Sequence, residues 1–471
     1  MKVRQLFIIL ALSLTISGYS QNKPAKYVFF FIGDGMGVQQ VNTASVYADS
    51  VLGVSNGVVF TKFPVVSLST TYAATRYITC SAAAGTALST GSKTSIGTIG
   101  LNASHTDTLY SIAKRFKDSG KKVAILTSVS IDHATPAAFY AHKGSRSSYY
   151  EIAKDLIPSN YDFFASGGFV EPQGSKRDTN AVSVYQLGSQ NGIGFTTTFY
   201  GVDSLKKRGA KTIVYSSPNP ASSSTLQYEI DRSASDISLE DITRKAIEVV
   251  DNPKGFFMMV EGGKIDWACH DNDAATVIHE VLAFSKAINA ALEFYKKHPD
   301  ETLIVVTADH ETGGMSLGNA ENGYKNFLKI FQNQHVSQEV LHDQFSKLKA
   351  SKPEASFSDV LLLLNKETGL STEGEFALNS AELDEIKRAY EAYFGITKTS
   401  TDKNMYNETD LISKTALSIL NKKAGIGWTS STHTGSPVPV FVVGSGQTFF
   451  TSFLDNTDIP KNILRAAGID K

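Results

Sequence analysis

Apolar and polar positions follow two periods along this chain, and the order of those periods predicts its architecture. Residues 26–32 (KYVFFFI) form a nearly unbroken apolar and aromatic run, the pattern of a strand buried on both faces of a parallel sheet. Comparable strands are expected at 65–72, 123–130 (VAILTSVS), 161–166, 255–261 (GFFMMVE), 302–307 (TLIVVT) and 438–443. Between them lie helical patterns at 37–50, 81–90 (SAAAGTALST), 109–117, 149–156 and 239–250. A longer helix is expected at 274–297, where Val277, Ile278, Val281, Leu282, Phe284, Ile288, Ala291 and Leu292 make one apolar stripe. Strands alternating with helices predict an α/β fold with a mostly parallel central sheet and helices on both faces.

Two stretches depart from this alternation. Residues 174–238 are richer in Ser, Thr and Gly, with short elements such as 211–215. From about Gly318 to Gly427 the pattern is helical, with segments expected at 326–333, 337–349, 357–366, 381–394 and 411–423. The chain then returns to a strand at 438–443 and a terminal helix near 459–467. The expectation is one domain over 21–471, with a largely helical insertion or cap at about 318–427.

Residues 1–20 are expected to lie outside that domain. Lys2 and Arg4 precede an apolar run at 6–16 that is too short to span a bilayer, and small residues lead to Gln21. This is the pattern of a signal peptide, so the mature protein is expected to be exported, periplasmic or secreted, without a membrane span. A net charge of −1 gives no electrostatic basis for binding nucleic acid. Cys80 and Cys269 offer little disulfide scaffolding, and a core of this size needs none.

The candidate chemistry sits at the ends of the apolar runs. The first ends in Gly33-Asp34-Gly35-Met36-Gly37, where Asp34 is either a helix cap or a ligand at the carboxyl end of a buried strand. Strand 255–261 ends in Glu261, followed by Gly262-Gly263-Lys264-Ile265-Asp266-Trp267-Ala268-Cys269-His270. Asp266 and His270 are four apart and would share a helix face, as a common metal requires. Asp309 and His310 follow strand 302–307, Asp132 and His133 follow strand 123–130, and His433 precedes strand 438–443. One such residue is usually a cap or a loop hydrogen-bonder, but five such segments together point to metal. Mixed Asp and His donors suit zinc; an Asp/Glu/Thr set suits magnesium. His105, His279, His298, His335 and His342 lack this context and are expected at the surface. Ser81 opens a helix of small residues, where unpaired amides favour an anion; it could equally be only a cap. Arg146 offers a planar fork for phosphate oxygens, though spacing alone says little about it.

Taken together, GDGMG, T-x-SAAAGTALSTGSKT, DHATPAA with a later H-x-x-SR, VEGGKIDWACH, TADHETGG and STHTG resemble the alkaline phosphatases, the two-zinc, one-magnesium phosphomonoesterases. The resemblance runs from about residue 27 to 314 and again from about 428 onward. It implies Ser81 as nucleophile, passing through a phosphoserine. It implies Asp266, His270 and His433 as ligands of one zinc, and Asp34, Asp309 and His310 as ligands of the other. Asp34 would also bridge to magnesium, completed by Thr135 and Glu261, and Arg146 would bind phosphate. Small phosphate monoesters are then the expected substrates, and a homodimer is left open.

Three positions depart from, or vary within, that pattern. Cys80 stands where many members of the family carry an aspartate that orients the arginine, so Arg146 should be held less tightly. His133 is expected to tune the magnesium site without coordinating directly, and Trp267 to line the phosphate pocket. Diester or sulfate-ester hydrolysis by a related superfamily member, and an inactive phosphate- or metal-binding homologue, are the alternatives.

Overall fold

In the computed structural model, which describes residues 23–174, 180–395, 401–403 and 408–469, ten strands form one sheet. The proposed signal peptide at 1–20 lies outside the described residues. Across the sheet the order is Leu454–Asp455, Val65–Thr70, Val438–Gly444, Thr302–Thr307, Tyr27–Gly33, Phe256–Gly262, Lys122–Thr127, Phe163–Ser166, Thr212–Ser216 and Ile193–Thr196. Every pairing is parallel except the two made by Val438–Gly444.

The first apolar run lies in the middle, and its alternating side chains feed two cores. Phe29 and Phe31 join Met258, Val260, Ile304 and Val306 on one face. Val28, Phe30 and Ile32 join Phe257, Met259, Leu303 and Val305 on the other. A strand buried on both sides has no polar face to offer, which is why its sequence reads as a continuous apolar run. Helices Leu239–Val250 and Ala274–Tyr295 cover the first face, and Ser81–Thr90, Ile112–Asp118 and Asp458–Ala467 the second.

Among the described residues of 328–424, Gln338–Ser351, Phe357–Thr368, Ser380–Tyr393 and Leu411–Ala424 are α-helices. Their apolar residues, Leu341, Phe345, Val360, Leu364, Ile386 and Leu417 among them, extend the first core. Ser316–Leu317 pairs antiparallel with Ile426–Gly427, so the chain enters and leaves this stretch side by side. No helix among the described residues is long and apolar enough to cross a membrane.

Several elements differ from expectation. The strand after residue 122 stops at Thr127: the Ser128 N–H still reaches the Glu261 carbonyl at 3.1 Å, and the chain then bends at Ser128 and Val129. Residues 174–238 hold helices Val184–Gln190 and Phe199–Lys207 and the edge strand Ile193–Thr196; elements this short carry too few periods to read. His279 and His298 are half-buried, packed at a tilt against Tyr47 and against Tyr27 and Phe294, and His342 is half-buried beside Asp410. Only His105 and His335 of that group are exposed, since the edge of an apolar stripe can hold an imidazole.

Phe31 is fully buried on the central strand, 5.8 Å centroid to centroid from Phe284. Phe31→Ala should cost about 3–5 kcal/mol, read as a lower denaturation midpoint, and Phe31→Leu clearly less. Equal midpoints for Phe31→Ala and the parent would contradict this account of the core.

Candidate active site and metal centre

Parallel register gathers the candidate residues. Ile32 lies opposite Glu261 on one side and Thr307 on the other, and Glu261 opposite Thr127. Asp34 and Asp309 therefore emerge from neighbouring strands beside Glu261. The turn after Asp34 needs glycine: Gly35 has φ of +69°, and a Cβ there would lie 2.8 Å from the Cα of Asp266. That close approach brings the helix Lys264–His270 onto the strand ends.

On that helix the four-residue spacing places His270 Nε2 3.4 Å from Asp266 Oδ2. The short strand His433–Thr434 pairs with Glu311–Thr312, stacking the His433 ring on that of His310 at 3.7 Å. His433 Nε2 lies 3.2 Å from His270 Nε2. The outer ring nitrogens are oriented by backbone carbonyls: His270 Nδ1 faces Ser431 O at 2.7 Å and His433 Nδ1 faces Thr79 O at 2.8 Å. Such contacts leave Nε2 as the donor toward a metal.

Three buried clusters have donor atoms within 4.8 Å of one another: Asp266, His310 and His433; Asp34, Asp309 and His310; and Asp34, His133 and Glu261. His133 thus lies close to Asp34 and Glu261 as well as to Arg146. Thr135 donates to Asp34 Oδ2 at 3.3 Å. Glu261 accepts a short hydrogen bond from Thr127. Asp309 Oδ1 accepts from the N–H groups of Gly35 and His310, at 3.2 and 2.9 Å. In contrast, Asp34 Oδ1, Glu261 Oε1, Asp266 Oδ2 and Asp309 Oδ2 accept no hydrogen bond, although all are buried.

The electrostatics follow from that crowding. Burial, reinforced by Asp309, Asp266 and Glu261, pushes Asp34 well above the usual carboxylate range. Burial lifts Glu261 to about 8, with Asp309 adding to it. Burial and Asp266 lift Asp309 to about 7. Asp266 goes the other way: burial opposes its charge, but His270, His433 and His310 hold it well below the ordinary value. Unsatisfied carboxylate oxygens facing imidazoles in a buried cluster match the donor set of divalent cations.

Ser81 begins the helix Ser81–Thr90, with its Oγ 3.3 Å from His310 Nε2. Gly85 lets this helix lie close to the Thr135 backbone, where a Cβ would meet Thr135 Cα at 3.3 Å. Cys80 and Cys269 are both free and buried. The Cys80 sulfur accepts from Gly97 N–H at 3.2 Å, while Gly97 O accepts from the Arg146 N–H at 2.8 Å. The Arg146 guanidinium lies 3.2 Å from His133 Nε2. Trp267 is buried, its ring edge-on to His133 at 5.9 Å.

Supporting residues that the sequence reading left unassigned complete the site. Thr312 Oγ1 donates to Asp266 Oδ1 at 2.6 Å and lies 3.2 Å from His310 Nδ1. Glu311 accepts from Gln40, Thr434 and the amides of Gly314 and Met315. Both stand inside TADHETGG, so their position beside Asp309 and His310 was the available signal. Lys264 is fully buried, with Nζ 3.4 Å from the Tyr228 ring centre and 3.8 Å from Glu339.

The alkaline phosphatase family model matches residues 25–161 and 221–469. The chain belongs to the alkaline phosphatase family. Alkaline phosphatase 4 of Bacillus subtilis (strain 168) is 33% identical over 389 residues, covering 81% of this chain and 75% of that protein. Alkaline phosphatase 3 of the same organism is 30% identical over 454 residues, covering 94% and 88%. Among solved structures, the cold-active alkaline phosphatase from Shewanella sp. is 28% identical with a TM-score of 0.74, covering 94% of this chain and 99% of that one. The alkaline phosphatase of Thermus thermophilus is 25% identical with a TM-score of 0.75, covering 98% and 96%. Membership in this phosphomonoesterase family matches the central sheet and the strand-end site. Residues 162–220, outside the family match, carry the far edge of the sheet.

The raised carboxylates set the pH dependence of this alkaline phosphatase when stripped of metal. In the fold Glu261 and Asp309 bind protons up to about 8 and 7, whereas unfolded carboxylates release theirs near 4. The folded state then holds more of these protons through that window. Below about 6.5 the depressed His133, His310 and His433 oppose this trend; above it they are neutral in both states, so stability falls as pH rises from about 6.5 to about 8. Denaturation midpoints in chelator should decline over this range, and Glu261→Gln should flatten the decline. A midpoint rising with pH in the parent would contradict the sign.

Proposed function

We propose that this protein is an exported, metal-dependent phosphate monoester hydrolase that works through a phosphoserine on Ser81. The observation that carries the reading is the approach of Ser81, at the open end of its helix, to His310 within a nest of buried carboxylates and imidazoles. Asp266, His270 and His433 would hold one zinc, and Asp34, Asp309 and His310 the second. Asp34, Thr135 and Glu261 would hold magnesium, with His133 alongside. Bound divalent ions supply charge for the phosphoryl oxygens and lower the pKa of coordinated oxygen nucleophiles.

The chain's own groups account for the remaining steps. Phosphate monoester hydrolysis is among the slowest uncatalysed reactions, and enzymes accelerate such reactions by up to ~10²¹. Ser81 Oγ forms a bond to phosphorus as the ester P–O bond breaks, and the serine proton is balanced by the proton gained by the departing alcohol. Water then cleaves the Oγ–P bond, restores the serine hydroxyl and releases inorganic phosphate. First-turn amides of the Ser81 helix have no intrahelical acceptor and can take phosphoryl oxygens. Arg146 brings a fixed cation that suits two of those oxygens, and the backbone contacts of His270 and His433 keep their rings in place. Trp267, packed on His133, would close the floor of the phosphate pocket.

Ser81→Ala should abolish steady turnover of a monoester while leaving metal content unchanged, measured by assay and by elemental analysis of the same preparation. Full activity in that variant, or dominant diesterase or sulfatase turnover in the parent, would overturn the proposal. Asp34 takes part in two clusters and Glu261 in one. Asp34→Asn should therefore lose more bound metal than Glu261→Gln. Equal metal content in Asp34→Asn and the parent would remove Asp34 from its bridging role.

A further inference from the structure

Beside the nucleophile lies a cavity of about 660 Å³ that the chemistry above does not use. Its lining adjoins the site: Thr79 and Cys80 immediately precede Ser81, and Thr432 and His433 also border it. Its outer wall is apolar, formed by Tyr77, Ile78 and Ile96. These side chains are 88%, 51% and 37% exposed, so three large apolar groups face solvent around one opening. Arg76 at the rim carries the charge, and it too is exposed.

The wall is braced. Ala73 and Arg76 exchange backbone hydrogen bonds at 2.9 and 3.3 Å, and Ala74 N–H reaches Thr94 O at 2.9 Å. Lys93 donates to Tyr72 O at 2.8 Å. Gly97, next to Ile96, is tied to Cys80, and Thr79 O to His433. The apolar surface is thus fixed relative to Ser81.

We propose that this cavity receives the alcohol portion of the substrate, and that its walls favour phosphate esters of aryl-bearing or longer alkyl alcohols over esters of small polar alcohols. The inference rests on Ser81 acting as the phosphoryl acceptor, and it adds the substrate class. Continuity with the site argues for this occupant, because an ester whose phosphorus meets Ser81 must send its alcohol into adjoining space. The volume is that of a small-molecule pocket. A second copy of the chain would instead need roughly 800 Å² of complementary surface on each partner. A polar alcohol entering the cavity would leave water without replacement hydrogen bonds from Ile78 or Ile96. An aryl group loses nothing comparable and gains burial.

The test compares 3-phenylpropyl phosphate with glycerol 3-phosphate on the metal-loaded enzyme. Both are esters of primary alkyl alcohols, so differences in leaving-group basicity contribute little. The phenylpropyl ester should have the higher kcat/KM, by about tenfold, and Ile78→Asp should erase most of that preference. Both esters carry the same phosphate charge, so the added carboxylate acts on them alike and the ratio reports the cavity; Ile78→Met should keep the preference. Ile78 is half exposed, so these substitutions leave the core intact. Equal kcat/KM for the two esters, or an unchanged ratio in Ile78→Asp, overturns this inference while monoesterase activity stands. A change in molar mass by light scattering in Ile78→Asp also overturns it, assigning the surface to a contact between copies. Absence of all monoesterase activity in the parent would overturn the proposed function and this inference with it.

Discussion

Four carboxylates, Asp34, Glu261, Asp266 and Asp309, are buried within one end of the sheet, and the rest of the site is arranged around their mutual repulsion. Two like charges 4 Å apart cost about 4 kcal/mol at an effective dielectric constant near 20. That is a large share of the ~5–15 kcal/mol by which a folded domain exceeds its unfolded chain. Such a cluster persists only where protons or cations neutralise it. Threonines and backbone amides satisfy the outer oxygens of these groups, through Thr127, Thr135, Thr312, Gly35 and His310. The inner oxygens stay bare. Hydrogen bonds thus fix the orientation of each carboxylate while leaving its charge directed at a common centre.

Rigidity of that centre comes from both sides of the sheet. The strand ends are held in parallel register, while the helix Lys264–His270 is pinned from behind by the helical segment that follows residue 318. Gln334 and the amide of Gln338 bond the two oxygens of Asp273, at 2.8 and 2.9 Å. Asn421 bonds Asn272 O at 2.7 Å. Glu339 lies opposite the buried Lys264, whose charge is otherwise disfavoured by burial. A stretch remote from Ser81 in sequence therefore sets the angle at which Asp266 and His270 are presented. This gives the helical segment a mechanical connection to the site without any side chain in the chemistry.

Local features of this arrangement were legible in the residues, and distant ones only through motif order. A continuous apolar run identifies a doubly buried strand, and a four-residue interval identifies a shared helix face, so Asp34 and the Asp266–His270 pair stood out. Nothing in spacing brings His433 over His310, because that contact depends on two-residue strands pairing across more than a hundred positions. The resemblance placed the two histidines among the zinc ligands, in separate sets. Thr312 and Glu311 escaped notice because hydroxyl and carboxylate side chains next to a ligand look the same whether they orient it or face water. The far sheet edge escaped because the four-residue strand Ile193–Thr196 has too few positions to establish a period. Surface placement of His279 and His298 failed for a related reason: an imidazole can pack at a tilt against aromatic rings at the margin of an apolar stripe.

Cys80 shows how one substitution redistributes contacts in such a site. A thiol at this position binds the Gly97 amide and offers the Arg146 guanidinium no charge, and the arginine lies instead against His133 Nε2. Guanidinium has no lone pair to give, so Nε2 must be the acceptor and the ring proton resides on Nδ1. Burial, and then Arg146 itself, push His133 down to about 3, which keeps the ring neutral and able to accept. A bond from an arginine to a neutral ring lacks the second charge that strengthens an arginine–carboxylate fork. His133 also belongs to the cluster with Asp34 and Glu261. The phosphate cradle and the third carboxylate cluster thus meet at a single imidazole.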